Sequence, residues 1–182
     1  MQIRTYTGMS LDGFMAHADG LPVWDAMPTF VPGESHGYKE FSPQCPAIII
    51  GRTVFDFGHM YWTEHSMWPW ADKQVYVLTS HPLPEKRHAD VTASKGGPAE
   101  LIHQLRDADI PGDVQLLGGG RTIRAFLEIG AVDEFGITIL PLLLGDGVPL
   151  FAPGTLPQSP LRLEHHQTFP DGAVLLVYRK ES

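Results

Sequence analysis

Cysteine is almost absent from this chain of 182 residues, in which Cys45 is the single example. A disulfide within the chain and a zinc site built from cysteines are therefore excluded. Cys45 precedes an apolar run, so we expect a buried and unreactive thiol there rather than a nucleophile. The cysteine content, with an N-terminal segment that lacks the basic-then-apolar layout of a secretion signal, leads us to expect a cytoplasmic protein.

Positive charge is also sparse. The chain has 13 Lys and Arg against 21 Asp and Glu, a net charge of −8, and its basic residues do not cluster. We therefore expect no nucleic-acid partner and no membrane partner, although a local basic pocket for a phosphate stays open. No apolar stretch approaches the length of a membrane span. The 9 histidines are scattered, so we expect no metal site.

Short apolar segments alternate with helical patterns through the middle of the chain, and the C-terminal part is all β. The predicted strands are 1–7, 47–51, 74–79, 90–93, 114–117, 135–140, 161–169 and 173–179, and the predicted helices lie at 34–41, from 52, within 96–108 and at 122–129. This alternation is typical of an α/β fold. It predicts one domain over residues 1–182, with a mostly parallel central sheet and an antiparallel C-terminal edge.

Three of these strands end in glycine, hydroxyl or basic residues: AIIIGRT at 47–53, VYVLTSHP at 75–82 and VQLLGGGRTIR at 114–124. A strand, a glycine-rich turn and a helix start present backbone N–H groups to a phosphate. Ligands of open α/β sheets bind outside the carboxyl ends of the strands. The GxGxxG and GxxxxGK[ST] fingerprints are absent, and a tight turn at a sheet edge would use the same glycines.

The order of the motifs TGMSLDGFMA, AIIIGRT, VYVLTS, LLGGGRTIRAFL and DEFGITILPLLLGDGVPLF gives the chain a family likeness. From Met1 to about Arg179 it resembles the reductase domain of the bifunctional riboflavin-biosynthesis deaminase-reductases, in the dihydrofolate-reductase-like superfamily. The resemblance implies a three-layer α/β/α fold with about eight strands in the sheet, an NADPH cofactor and a homodimer with its contact near PLLLGDGVPLF. The deaminase half is missing, because the chain contains neither HxE nor CxxC.

The resemblance also implies which residues bind NADPH. The backbone at Gly8 and Met15 is implied to face the nicotinamide carboxamide. Gly51, Arg52 and Thr53 are implied to hold phosphates, and Thr79 and Ser80 to lie on the 2′-phosphate side. The residues implied to cradle the pyrophosphate are Gly118, Gly119, Gly120, Arg121, Thr122 and Ile123. A cis peptide between Gly118 and Gly119 is implied as well. The hydroxyl at Thr53 departs from the family, which usually carries it one residue later, where this chain has Val54.

The candidate catalytic residues are Asp12 in the SLDG segment, Trp24 after the long loop where the family places substrate contacts, and Asp56 in the phosphate-binding helix, from which we expect it to approach the substrate. Each has an ordinary structural alternative: a turn cap for Asp12, loop packing for Trp24 and an exposed helix carboxylate for Asp56. The leading hypothesis is an NADPH-dependent reductase resembling 5-amino-6-(5-phosphoribosylamino)uracil reductase. The alternatives are a dihydrofolate-reductase-type pterin reductase and a non-catalytic nucleotide-binding module.

Overall fold

A computed structural model describes residues 1–27, 29, 31, 33–151, 154 and 156–181, except for the side chains of residues 24 and 25. The strands are β1 (Ile3–Ser10), β2 (Phe14–Ala16), β3 (Ala47–Gly51), β4 (Gln74–Leu78), β5 (Val91–Ser94), β6 (Val114–Gly118), β7 (Glu134–Leu140), β8 (Val148–Pro149), β9 (Leu161–Thr168) and β10 (Val174–Lys180). The α-helices are α1 (Tyr38–Phe41), α2 (Arg52–His65), α3 (Gly97–Asp107) and α4 (Gly120–Glu128). Short 3-10 helices occupy Val23–Ala26 and Ser42–Gln44.

The central sheet has eight strands in the order β5-β4-β3-β6-β1-β7-β10-β9. All pairs from β5 to β7 are parallel, and β10 runs antiparallel to both β7 and β9. β3 lies inside the parallel part and every one of its residues is buried, as its unbroken AIIIG run predicts. The predicted mostly parallel sheet with an antiparallel C-terminal edge is therefore confirmed.

Helices cover both faces of this sheet, and β3 shows how. Ile49 packs into the large core that includes Leu101 of α3 and Phe126 of α4. Ile48 and Ile50 point to the opposite face, where they pack with Phe55 of α2. Successive strand residues point to opposite faces, so one short apolar strand fills two cores. The predicted three-layer α/β/α arrangement follows.

Element boundaries differ from the sequence predictions where contacts or backbone angles decide them. The predicted helix at 34–41 begins only at Tyr38, because His36 (φ 49°) and Gly37 (φ 88°) have left-handed backbones that cannot lie within an α-helix. β1 continues beyond the predicted residue 7 because it pairs with β7 as far as Ser10. α4 begins two residues before the predicted Thr122, directly after the glycine turn.

Cys45 is buried in a small cluster with Tyr6 and Phe41, as the sequence predicts. Burial raises the pKa of its thiol to about 11, so the group stays protonated near neutral pH. None of the helices formed by the described residues has the length and hydrophobicity that crossing a membrane requires.

Candidate functional site

The carboxyl ends of four adjacent strands, β5, β4, β3 and β6, open into one cleft of about 820 Å³. Its lining includes most of the residues that the sequence analysis assigned to a cofactor: Met15, Gly51, Arg52, Thr53, Thr79, Ser80, Gly119, Gly120, Arg121 and Thr122. Gly8, Gly118 and Ile123 are not part of this lining. Gly8 lies inside β1 opposite Thr138 of β7, and Ile123 is fully buried beneath the turn.

The turn between β6 and α4 contains the cis peptide bond Gly118–Gly119 that the family resemblance implies. The carbonyl oxygen of Gly119 accepts hydrogen bonds from the backbone N–H groups of Thr122 (2.8 Å) and Ile123 (3.1 Å), which closes the first turn of α4. A Cβ on Gly120 would lie only 2.7 Å from the carbonyl oxygen of Pro149 on β8. Glycine is therefore required where the short β2–β8 ladder approaches the helix start.

The turn between β3 and α2 packs directly against this one. A Cβ on Gly51 would overlap Oγ1 of Thr122, so the two turns touch at a position that admits no side chain. Arg52 opens α2, and its Nε donates to Oδ1 of Asp56 at 2.8 Å while its Nη1 donates to the carbonyl oxygen of Pro82 at 2.9 Å. The guanidinium is thus held at the cleft wall by two anchors.

The β4 and β5 ends form the remaining wall of the cleft. The backbone N–H of Thr79 donates to the carbonyl oxygen of Ser94 at 2.9 Å, and its Oγ1 accepts from the backbone N–H of His81 at 3.2 Å. His81 of the VYVLTSHP stretch lines the cleft as well. Ser94 and Lys95 also line it, and the sequence analysis did not include these two residues. The SKGG segment after β5 repeats the strand-then-glycine pattern of the other turns, and that signal was sufficient to find it.

The cleft is lined by positive side chains, although the chain as a whole is negatively charged. Arg52, Lys95, Arg121 and His81 line it, and no Asp or Glu is among the described lining residues. The chain carries a net charge of −8. Cations and backbone N–H groups gathered at strand ends favour a ligand with several negative charges, such as a dinucleotide.

Asp12 lies outside this lining and has a structural role. Its Oδ1 accepts from the Ser10 hydroxyl (2.6 Å) and the Leu144 N–H (3.0 Å), and its Oδ2 accepts from the Gly145 N–H (2.8 Å). These hydrogen bonds, the one from Ser10 foremost, lower the pKa of Asp12 to about 2. Asp12 is therefore the turn cap that the sequence analysis gave as its alternative, and this geometry argues against a proton donor.

Asp56, the second catalytic candidate, does not line the cleft either. Asp56 is half exposed and pairs with Arg52 on the same helix, so it orients a cation of the cleft without lining it. The backbone of Trp24 lies in the 3-10 helix Val23–Ala26, and its side chain is outside the described residues.

Comparison with known proteins agrees with the fold. The family model described as RibD C-terminal domain matches residues 54–175. The uncharacterized protein YwjB of Bacillus subtilis is 30% identical over 173 residues, which are 95% of this chain and 94% of YwjB. A protein of Shewanella sp. PV-4, provisionally described as a riboflavin biosynthesis protein, superposes with a TM-score of 0.84 at 27% identity over 100% of both chains.

The deaminase/5-amino-6-(5-phosphoribosylamino)uracil reductase of Thermotoga maritima shares the fold alone, with a TM-score of 0.71 at 16% identity over 99% of this chain and 56% of that one. The three-layer sheet and its strand-end cleft thus define a dihydrofolate-reductase-like α/β protein. Within that class, the chain belongs to the RibD C-terminal domain family, as its ordered motifs predict.

Proposed function

We propose that this protein is an NADPH-dependent reductase that acts on a small heteroaromatic ring of the pyrimidine or pterin type. The observation that carries the proposal is the cleft at four strand ends, which gathers Arg52, Lys95 and Arg121 without any acidic side chain among its described lining residues. Its glycine turns leave backbone within reach of a phosphate. The family membership supports a reductase of the riboflavin-pathway kind.

The pyrophosphate fits best where the two touching turns meet. Gly51 and Arg52 on one side and the turn Gly119–Arg121 on the other present N–H groups and positive charge to the same part of the cleft. Met15 and Ala16 of β2 line the end of the cleft beside β6, which suits the nicotinamide. Bound NADPH supplies the hydride, and these residues orient it and exclude water.

The leading substrate is a ribosylaminopyrimidine such as 5-amino-6-(5-phosphoribosylamino)uracil, because the chain is a member of the RibD C-terminal domain family. The reaction proposed for these residues is the reduction step. Asp12 is not proposed as the proton donor, because its hydrogen bonds lower its pKa to about 2. Asp56 is not proposed either, because it pairs with Arg52 and does not line the cleft.

A homodimer is part of this proposal. The segment for which the resemblance implies the contact, residues 141–151, exposes Leu143 and Phe151, which are 73% and 46% accessible. The neighbouring strand β9 pairs only with β10 among the described strands and exposes Leu161 and Leu163. Exposed leucines on an edge strand are stabilised when a second copy covers them.

The test is a titration of the purified protein with NADPH and NADH, followed by quenching of tryptophan fluorescence and then by NADPH oxidation assays with pyrimidine and pterin substrates. Tight NADPH binding with turnover of the ribosylaminopyrimidine is the expected result. Turnover of dihydrofolate alone would establish the pterin alternative. Binding without turnover of any ring substrate would indicate a nucleotide-binding module, and binding of neither dinucleotide would refute the reductase.

A further inference from the structure

The chain that follows β2 forms one wall of the cleft at its proposed nicotinamide end. Ala16 and Gly20 both line the cleft. The backbone N–H of His17 donates to the carbonyl oxygen of Leu21 at 2.8 Å, which closes the turn around Gly20. Ala16 also pairs with Pro22 in an isolated antiparallel bridge. A ring that receives a hydride must lie against the nicotinamide, so it would lie beside this turn as well.

Beyond this turn, the chain is attached to the turn between β9 and β10. Val23 and Met27 are buried and pack in a small cluster with Ala173, which precedes β10. The Thr29 hydroxyl donates to the backbone carbonyl oxygen of Asp171 at 2.7 Å. The position of the cleft wall therefore depends on a turn that does not line the cleft.

The side chain of Asp171 holds the same stretch of chain a second time, before α1. Its Oδ2 lies 2.7 Å from Nε2 of His36, and its Oδ1 accepts from the Ala173 N–H at 3.0 Å. The side chains of His36 and Asp171 are both buried. The His36 carbonyl oxygen accepts from the Tyr6 hydroxyl at 2.6 Å, and its ring packs edge-on against Phe169. His36 is thus fixed in place by its neighbours on several sides.

The burial of this pair indicates what it does for the protein. An intact buried pair contributes little net stability, because taking two polar groups out of water offsets most of their attraction. Any other position of the chain would, however, leave a buried polar group without its partner, which is costly. A pair of this kind therefore selects one arrangement of the segments that it joins.

We propose that Asp171, through His36 and Thr29, fixes the cleft wall around Gly20 and thereby determines how well the ring substrate binds. The inference rests on the proposed function and makes Asp171 a positioning residue, since it does not line the cleft itself. The phosphate-binding turns at Gly51 and Gly119 are separate from this attachment. Loss of the attachment should consequently affect the ring more than the cofactor.

The first experiment compares Asp171→Asn and Thr29→Val with the native protein in steady-state kinetics with 5-amino-6-(5-phosphoribosylamino)uracil and with dihydrofolate. For the substrate that is reduced, KM should rise about tenfold in Asp171→Asn and about threefold in Thr29→Val. The Kd for NADPH should change less than twofold in both. Thr29 is exposed, so its variant should fold even if Asp171→Asn does not.

Hydrogen–deuterium exchange gives a second readout that needs no substrate. The amides of His17 and Gly20, which are hydrogen-bonded in the turn, should exchange at least threefold faster in Asp171→Asn and in Thr29→Val. Leu105→Ala is the control, because it destabilises the core beneath α3 without touching this attachment. In that variant the two turn amides should keep their native exchange rates, and KM should stay within twofold of the native value.

Two outcomes would overturn the inference by itself. One is native exchange of the turn amides in both variants. The other is an equal loss of ring and NADPH affinity, or a rise in KM that Leu105→Ala reproduces, since either would indicate general instability. If the native protein reduces neither ring, the proposed function fails and the role in substrate binding fails with it, whereas the exchange rates show separately whether Asp171 fixes the wall.

Discussion

Gly51 and Thr122 are 71 positions apart in the chain, yet the Thr122 hydroxyl stands where a Cβ of residue 51 would be. Each residue belongs to a turn after a buried strand, and their contact joins the two turns into one surface. The arrangement depends on the neighbouring positions of β3 and β6 in the sheet. It also makes the glycine at position 51 sensitive to the smallest possible enlargement.

We expect Gly51→Ala to push Thr122 away and separate the turns. Overpacking of this kind costs about 2 kcal/mol of unfolding free energy, and NADPH affinity should fall about tenfold. Denaturant unfolding and the fluorescence titration measure the two effects. Adding Thr122→Ala removes the clashing atom and leaves the nearest remaining Thr122 atom 3.6 Å from the new Cβ, so the double variant should recover most of the stability. Additive losses would contradict the contact.

The Arg52–Asp56 pair predicts a positioning effect for Asp56. Asp56→Asn weakens one anchor of the guanidinium while the Pro82 carbonyl keeps the other. Surface pairs at this spacing contribute about 0.5 kcal/mol, so the Kd for NADPH should rise about twofold with kcat unchanged. Steady-state kinetics check this expectation. A large fall in kcat at unchanged NADPH affinity would instead make Asp56 catalytic.

Asp12 predicts a pH result. Its pKa is lowered to about 2, so whatever it contributes is fully present above its unfolded value and is lost only as the pH falls through about 2. The profile of kcat between pH 5 and 8 should therefore keep its shape in Asp12→Asn, even if the variant is less stable because Leu144 and Gly145 lose a charged acceptor. Disappearance of an acidic limb in that window would identify Asp12 as the proton donor.

The buried pair His36–Asp171 predicts acid sensitivity of folding. Nε2 of His36 lies 2.7 Å from Oδ2 of Asp171, and the contact joins the loop before α1 to the β9–β10 turn. Burial opposes ionisation of Asp171, but hydrogen bonds from the Ala173 N–H and His36 outweigh it and lower its pKa. The stabilisation is therefore present above the unfolded pKa and is lost as the pH falls through the lower folded value.

Asp171→Asn should accordingly cost about 3 kcal/mol of unfolding free energy near neutral pH, because the buried His36 and the Ala173 N–H lose their charged acceptor. The loss should shrink as the medium becomes more acidic. Urea unfolding at several pH values measures it, and the exposed Asp107→Asn serves as the control for removal of a carboxylate. An equal loss at every pH would show that the Asp171 charge is not the source.

The exposed leucines of β9 predict that a substitution there separates the proposed homodimer into monomers. Leu163→Glu places a charge on the exposed face of β9, and burial of an unpaired charge in an interface costs several kcal/mol. Light scattering after size exclusion should show a dimer for the native chain and a monomer for this variant, with folding retained. Glu164→Gln, one residue along the same strand, is the control. A monomeric native protein would refute the homodimer.

Local sequence was enough to predict much of the fold and part of the cleft. β3 and β6 can be predicted from the sequence because their side chains are almost all apolar, and such runs are typical of buried strands. The glycines after them mark turns for the same reason, since backbone freedom is a property of the residue itself. The order of the family motifs then predicted a cofactor cleft at the strand ends.

The tertiary structure decided the rest because those features depend on partners far away in the chain. Asp12 became a turn cap through N–H groups more than 130 positions away. Lys95 follows a strand of four residues, and it reached the cleft because β5 pairs with β4. The sequence by itself determined which residues are buried and where the chain turns; which turns meet, and which charges they share, was decided by strand pairing across the sheet.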